Sequence, residues 1–389
     1  MREELFSILQ LNDRNQIKLF AKKIDMNMAN LSYFNDNYIY PDPETISKIL
    51  VHYPDISELE LKIRLGHIDS SVLDYLQNNI KEISSSFQYS NSEKFLNRKL
   101  PEPDFTTSLG KLFNADCIDT MKNMPDNSVD LIFADPPFNL NKTYESGIND
   151  KLSKVEYLNW TEQWITECIR ILKDGGSFFI WNLPSWNTYS AEVLNKYLTL
   201  RHWIAVDIKY SLPIANKLYP SHYSLLYYVK GNKPTTFNQE RLPLEICYHC
   251  GGDIKDYGGY KKKLNIEGMS LTDVWKDISP VRHKKYKNRD SNELPLNLLE
   301  RIISLSTNEG DLVFDPFGGS GTTFVVSEVL KRKWIGTEVG PIDIIQDRFE
   351  DLAFPKRLIN DIQNSKNTLF TEEMKKNRRK NGHWLPENL

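Results

Sequence analysis

The stretch that most limits what this chain can become is Phe314-Asp315-Pro316-Phe317-Gly318-Gly319-Ser320-Gly321-Thr322-Thr323. Leu312, Val313 and Phe314 form a short apolar run before the glycines, and a helical pattern from Thr323 to Leu330 follows, so the glycines sit at a strand-to-helix turn. Such a turn lets backbone come close to a ligand beside a helix N-terminus. The next strand, Lys333-Trp334-Ile335-Gly336-Thr337-Glu338, ends in an acid twenty positions after Gly318. A Rossmann-like fold places there the carboxylate that holds ribose hydroxyls. The expectation is a mostly parallel α/β sheet that takes an adenosine-containing cofactor.

The turn reads Gly-Gly-Ser-Gly and lacks the third glycine of the dinucleotide fingerprint, with Phe324 in its place, and no Gly-Lys-Ser/Thr of a phosphate-binding loop occurs. A nucleotide held by its phosphates is disfavoured. Earlier in the chain stands Ala134-Asp135-Pro136-Pro137-Phe138. With these two stretches the chain resembles the amino-methylating DNA methyltransferases, whose signatures are the Asp-Pro-Phe-Gly-Gly-Ser-Gly-Thr-Thr loop and an (Asp/Asn/Ser)-Pro-Pro-(Tyr/Phe/Trp) tetrapeptide. The tetrapeptide comes first and the loop last, as in the permuted β group of that family. The resemblance implies S-adenosyl-L-methionine as cofactor, bound by Asp116, Cys117, Asp315, Pro316, Phe317, Gly318, Gly319, Ser320, Gly321, Thr322 and Glu338.

Composition bounds the rest. A length of 389 residues suggests two or three domains, and a net charge of -3 means that any nucleic-acid surface is a local patch. Four cysteines give no disulfide framework, Met1-Arg-Glu-Glu-Leu carries no apolar signal core, and no stretch approaches a membrane span. A cytoplasmic protein is expected.

Residues 1–85 read as a separate helical domain. Ile17, Phe20, Ala21 and Ile24 fall near helical spacing, a turn follows near Asp25, Leu31 and Phe34 resume the stripe, and Pro43 or Glu44 opens a helix lined by Ile46, Ile49 and Leu50. The spacing resembles the helix-turn-helix of phage-repressor-like proteins, with Asn27, Asn30 and Ser32 as groove-facing candidates. A small bundle for packing or dimerisation reads equally well. Residues 86–108 are polar and proline-bearing and read as a linker, leaving 109–389 as the methyltransferase domain.

Within it, Lys111 to Asp116 is expected to be a strand ending in an acid, and Val129 to Ala134 a second, parallel and buried strand. Asp116 then lies at the carboxyl edge of the sheet, where ligands bind in open α/β folds. The resemblance makes it the acceptor for the cofactor's adenine amine; a helix N-cap is the structural alternative and excludes nothing.

The tetrapeptide Asp135, Pro136, Pro137, Phe138 has a chemistry that explains its composition. An exocyclic amine is a poor nucleophile because its lone pair is delocalised into the ring. The Asp135 carboxylate and the Pro136 carbonyl supply acceptors for its two N–H bonds on a peptide stiffened by both prolines. Phe138 offers a face on which a flipped base can stack. In the resembling family Asp at the first position is typical of adenine-N6 members and Ser of cytosine-N4 members, which points to adenine.

Glu156 to Leu172 is an amphipathic helix, followed by Asp174-Gly175-Gly176 and a strand from Ser177 to Trp181. Strands from His202 to Lys209 and from His222 to Val229 come next, with Tyr223 where a Glu is common in the resembling family. Between Gly231 and Asn292 the regular pattern stops. From Lys255 to Asp290 there are ten Lys/Arg against five Asp/Glu, including Lys261, Lys262, Lys263, Lys284, Lys285, Lys287 and Arg289. A basic, aromatic-punctuated insertion fits target recognition through phosphate contacts, and an ordinary solvated loop is the plainer reading. Cys247 and Cys250 have the spacing of half a zinc site without a second pair, so a reduced turn is preferred to metal. Asn292 to Ile303 reads as a helix capped by Ser291 or Asn292, and Lys375 to Lys380 as a solvated basic tail.

The resulting expectation is an adenine-N6 DNA methyltransferase acting on double-stranded DNA. A cytosine-N4 enzyme is the alternative, and a DNA-binding regulator with an inactive methyltransferase fold comes from another class. The resemblance admits a cognate restriction endonuclease and a homodimer as further partners without deciding either.

Overall fold

The apolar runs pair into one nine-stranded sheet among the residues that the computed structural model describes, which are 3–37, 40–66, 99–139, 152–207, 216, 218, 221–246, 252–278 and 293–388. The chain divides into two compact units, Met1–Asn97 with Leu152–Thr161, and Arg98–Lys151 with Glu162–Leu389.

In chain order the strands are β1 (Phe105–Thr106), β2 (Gly110–Phe113), β3 (Val129–Ala134), β4 (Leu172–Asn182), β5 (Thr199–Asp207), β6 (His222–Val229), β7 (Arg241–Leu242), β8 (Met269–Ser270), β9 (Val274–Trp275), β10 (Leu312–Asp315) and β11 (Lys333–Thr337). The large sheet runs β1-β2-β11-β10-β3-β4-β6-β5-β9, and β7 pairs with β8 apart from it. From β2 through β4 every neighbour is parallel, while β6 runs antiparallel between β4 and β5. The chain therefore leaves β2, β11, β10, β3 and β4 at one common edge.

Parallel strands buried on both faces need apolar residues at successive positions. β3 meets that with Leu131, Ile132, Phe133 and Ala134, and β4 with Phe178, Phe179 and Ile180, all fully buried. Phe179 stacks on Tyr227 of β6 at 4.3 Å between ring centroids. Burial of each Leu, Ile or Phe side chain stabilises by about 1.5–3 kcal/mol. The helix Leu296–Ser306 covers the same face with Leu298, Leu299, Ile302 and Ile303.

Phe324 explains the missing third glycine. That glycine ordinarily lets a helix approach its strand; here the helix Thr322–Val329 sends a ring inward, and the strands make room for it. A Cβ on Gly336 would stand 2.0 Å from Phe324 Cζ, and one on Gly318 2.8 Å from Cε2. The ring stacks on Trp334 at 4.9 Å.

Several expectations are corrected. Phe105–Thr106, inside the expected linker, pairs antiparallel with Lys111 and Leu112 as β1. β4 begins at Leu172 and runs through Asp174-Gly175-Gly176, with a register irregularity opposite Val129–Leu131. The helix expected from Asn292 starts at Leu296 with Pro295 at its N-cap, while Ser291 and Asn292 lie outside the described residues. The region from 231 to 292 contains β7, β8, β9 and a short helix, Tyr260–Lys263. The basic tail is the helix Glu372–Lys380, in which Arg378 is buried.

The other unit holds helices Leu5–Ile8, Arg14–Lys23, Met28–Asn37, Pro43–His52 and Glu58–Arg64. Asp13, Asp42 and Ser57 cap three of them with side-chain oxygens. Ala21, Leu31, Ile46 and Ile49 lie in its core. Between the second and third helices Asp25 adopts φ +52°, the left-handed turn conformation, and Met26 N donates to Ala21 O at 2.9 Å. Asn27 and Asn30 are exposed and Ser32 half-buried; Asn27 Oδ1 accepts from Ala29 N at 2.8 Å, so it caps the third helix.

Candidate active site

Strands of one direction that end at one edge place their following residues side by side. In sheet order that edge carries Asp116 beyond β2, Glu338 just after β11, Asp315 ending β10, and Asp135 just after β3. The two motifs, far apart in the chain, are thereby on neighbouring strands, with Phe314 registered on Ile132.

Asp315 is the most constrained of the four. It is buried; its Oδ1 accepts from Phe317 N at 2.9 Å and its Oδ2 from Thr323 Oγ1 at 2.5 Å. Burial pushes its carboxyl up to about 8, with the charges of Asp135 and Glu338 adding to the rise while the two hydrogen bonds oppose it. It stands where the helix Thr322–Val329 begins, so the chain supplies its own acid to that helix N-terminus.

Glu338 binds the glycine turn to the next strand's exit: its Oε2 accepts from Gly319 N and its Oε1 from Gly340 N, both at 2.7 Å. Asn114 Nδ2 donates to Glu338 O at 2.7 Å and to Gly340 O at 2.8 Å, which ties the ends of β2 and β11 together. The turn itself needs glycine at two positions for its conformation, Gly319 at φ +55° and Gly321 at φ +77°. Gly318 N donates to Thr337 O at 2.8 Å, and Thr337 Oγ1 to Pro316 O at 2.7 Å. Arg348 Nη1 donates to Ser320 O at 2.7 Å and to Thr322 Oγ1 at 3.0 Å, and pairs with buried Glu293 at 3.5 Å. Phe317 packs edge-on against buried Trp164, 5.2 Å between centroids.

Asp116 is exposed and its Oδ1 accepts from Ile118 N at 2.8 Å and Asp119 N at 3.3 Å, so the N-cap role is present. Cys117 opens the helix that Asp116 caps. Its side chain is buried and its thiol pushed up, chiefly by burial, so only its backbone remains for a ligand at the edge.

Asp135, Pro137 and Phe138 are half-buried and Pro136 buried. Phe138 lies 6.2 Å from the Tyr223 ring, and Tyr223 lies 4.8 Å from Trp181. Three aromatic rings from β3's exit, β4's end and β6's start therefore meet at the carboxyl edge. Trp181 and Tyr223 had no motif to announce them; their signal was position, the last residues of one strand and the first of its antiparallel neighbour. Lys261, Lys262 and Lys263 form the short helix in the insertion, where Lys261 is paired to Asp253 at 3.3 Å and the other two are exposed. Lys284, Lys285, Lys287, Arg289, Cys247 and Cys250 lie outside the described residues. Among the described residues no cluster of metal-ligating side chains occurs.

The edge gathers four acids, one of them the buried Asp315, and an acidic edge suits a ligand that carries positive charge. The arginine nearest the turn, Arg348, is spent on the turn and on Glu293. The same edge offers acceptors and aromatic faces beside Asp135.

The family described as DNA methylase (N6_N4_Mtase) matches residues 129–346. The type II methyltransferase M.BamHI of Bacillus amyloliquefaciens is 51% identical over 396 residues, covering 99% of this chain and 93% of that protein. The DNA adenine methyltransferase YhdJ of Escherichia coli (strain K12) is 33% identical over 59% of this chain and 78% of its own. Among solved structures, PvuII DNA methyltransferase (cytosine-N4-specific) aligns at 21% identity over 67% of this chain and 93% of that one, with a TM-score of 0.49. On its sequence match and its paired motifs, the chain belongs to the DNA methylase family and is a DNA methyltransferase.

Proposed function

We propose that the protein transfers a methyl group from S-adenosyl-L-methionine to the exocyclic amino nitrogen of a base turned out of duplex DNA, with adenine N6 as the acceptor. The observation that carries the reading is the adjacency of β3 and β10, which sets the tetrapeptide beside the cofactor turn. The cofactor would be held by Asp116, Asp315, the Gly318–Gly321 turn and Glu338, and when bound it supplies an electrophilic methyl group on a cationic sulfur.

The chain's own residues do the rest by position. Asp135 and the Pro136 carbonyl accept the two N–H bonds of the amine, which turns its nitrogen lone pair toward the cofactor. Phe138, with Tyr223 behind it at 6.2 Å, gives the base a stacking face. Preorganised acceptors and orientation supply most of the acceleration, since no proton has to leave before attack.

The choice of adenine rests on Asp135 at the head of the tetrapeptide, supported by the relative named a DNA adenine methyltransferase. Cytosine presents the same pair of N–H donors beside a ring nitrogen. The test is to incubate the protein with mixed-sequence duplex and S-adenosyl-L-methionine, digest to nucleosides and identify the methylated one by mass spectrometry. N6-methyladenine is expected. N4-methylcytosine would move the acceptor to cytosine and leave the amine chemistry standing, whereas 5-methylcytosine would overturn it.

A further inference from the structure

The end of the chain is built into the basic insertion. Asn367 N donates to Arg241 O at 3.0 Å, Leu244 N to Leu369 O at 3.0 Å, and Leu369 N to Ile266 O at 2.8 Å. Leu369, Phe370 and Leu385 form a small apolar cluster on which Ile254, Leu264 and Trp384 pack.

A buried cation locks this cluster. Arg378 is 2% exposed, and its guanidinium lies 4.6 Å from the Phe370 ring. It donates to Trp384 O at 2.8 Å, to Gly252 O at 3.3 Å and to Asp253 Oδ1 at 3.1 Å. Asp253 also accepts from Trp384 N at 3.1 Å and pairs with Lys261 Nζ at 3.3 Å, which in turn stands 5.6 Å from the Trp384 ring. A buried charge is tolerated only when its donors are satisfied, so this knot holds the helices Tyr260–Lys263 and Glu372–Lys380 to one frame.

The frame turns cations outward. Lys255, Lys262, Lys263, Lys376 and Lys380 are exposed and enter no ion pair among the described residues. Lys375 and Arg379, by contrast, are paired with Glu372 and Glu387. A helix with acids in its first turn and bases in its last is favoured by its own dipole, and that accounts for the last-turn residues. It does not account for Lys376, which lies in the middle of its helix.

We propose that these two helices form one basic surface that holds the phosphate backbone of duplex DNA, with Lys376 and Lys380 as its new members. The inference rests on the reading of the protein as a DNA methyltransferase. Contacts of this kind are sequence-independent and release counterions, so each lysine adds to the salt dependence of binding.

The test uses the full chain and a labelled duplex, with the dissociation constant followed by fluorescence anisotropy between about 50 and 200 mM salt. In K376Q/K380Q the slope of log affinity against log salt should fall by about 1.8, which is about a twelvefold smaller loss of affinity across that range. The KM for DNA in methyl transfer should rise, and cofactor affinity should stay as in the wild type. K262Q/K263Q should reproduce the loss of slope, and K331Q, an exposed lysine outside both helices and paired with Glu309, should change neither quantity. A wild-type slope and KM in both double variants would overturn the proposal while methylation continued. Duplex binding with the expected salt dependence but no methyl transfer would instead overturn the functional reading and leave the surface standing.

Discussion

Asp135 and Asp315 leave adjacent parallel strands, β3 and β10, and the charge of the first helps hold the second in its neutral form. The carboxylate proposed to hold the amine and the buried acid beneath the glycine turn are thus electrostatically coupled, and the coupling has a measurable consequence.

Asp315 is raised from 3.8 to about 8 in the folded chain. Its contribution to stability is therefore complete below 3.8 and is lost as pH rises through about 8, because over that window the folded state binds the extra proton. A cationic ligand nearby reverses the preference. Cofactor affinity should rise with pH up to about 8 and then level, with proton uptake by buffer visible in calorimetry using buffers of different ionisation enthalpy. Asp315→Asn should flatten the profile, and Asp135→Ala should move the levelling point to lower pH. Equal wild-type affinities below and above the window would contradict the account.

Gly336 leaves room for Phe324, whose Cζ would lie 2.0 Å from an added Cβ. Gly336→Ala should cost about 1–3 kcal/mol by overpacking, seen as a lower denaturation midpoint. Adding Phe324→Leu should recover part of it. An unchanged midpoint in the single variant would show that the helix does not depend on that slot.

Lys366 is buried between Glu240, at 2.8 and 2.9 Å, and Glu300, and so fastens the chain's final segment to the helix Leu296–Ser306. Lys366→Met leaves two buried carboxylates without their cation and should cost about 3–5 kcal/mol. Combining it with Glu240→Gln and Glu300→Gln should restore a substantial part, since neutral amides lose less without a counter-charge. No recovery in the triple variant would assign the loss to packing instead.

What could be read from the sequence followed physical distinctness. β3, β6 and β10 were legible because buried strands leave no alternative to apolar runs, β11 because it follows the glycine turn and its helix and ends in an acid, and the turn at Asp25 because two apolar stripes break there. The four acids were individually visible, but the order that makes Asp135 a neighbour of Asp315 belongs to sheet pairing, which sequence distance conceals. β1 is two residues long and exists only by bonding to β2. The C-terminal helix was hidden by its own composition: Arg378 occupies a place that an apolar residue usually marks, and its partners Gly252 and Asp253 lie far back in the chain. Lys261 looked like its two neighbours and proved to be spent on Asp253 and Trp384.

The most direct measurement is single-turnover methyl transfer to duplex DNA by the wild type and by Asp135→Ala, with cofactor affinity measured on the same samples. If the amine is held at the exit of β3, the variant should keep its cofactor and its fold and lose transfer on the order of a hundred- to a thousandfold. Transfer at the wild-type rate by a variant without the Asp135 carboxylate would contradict that placement of the reaction.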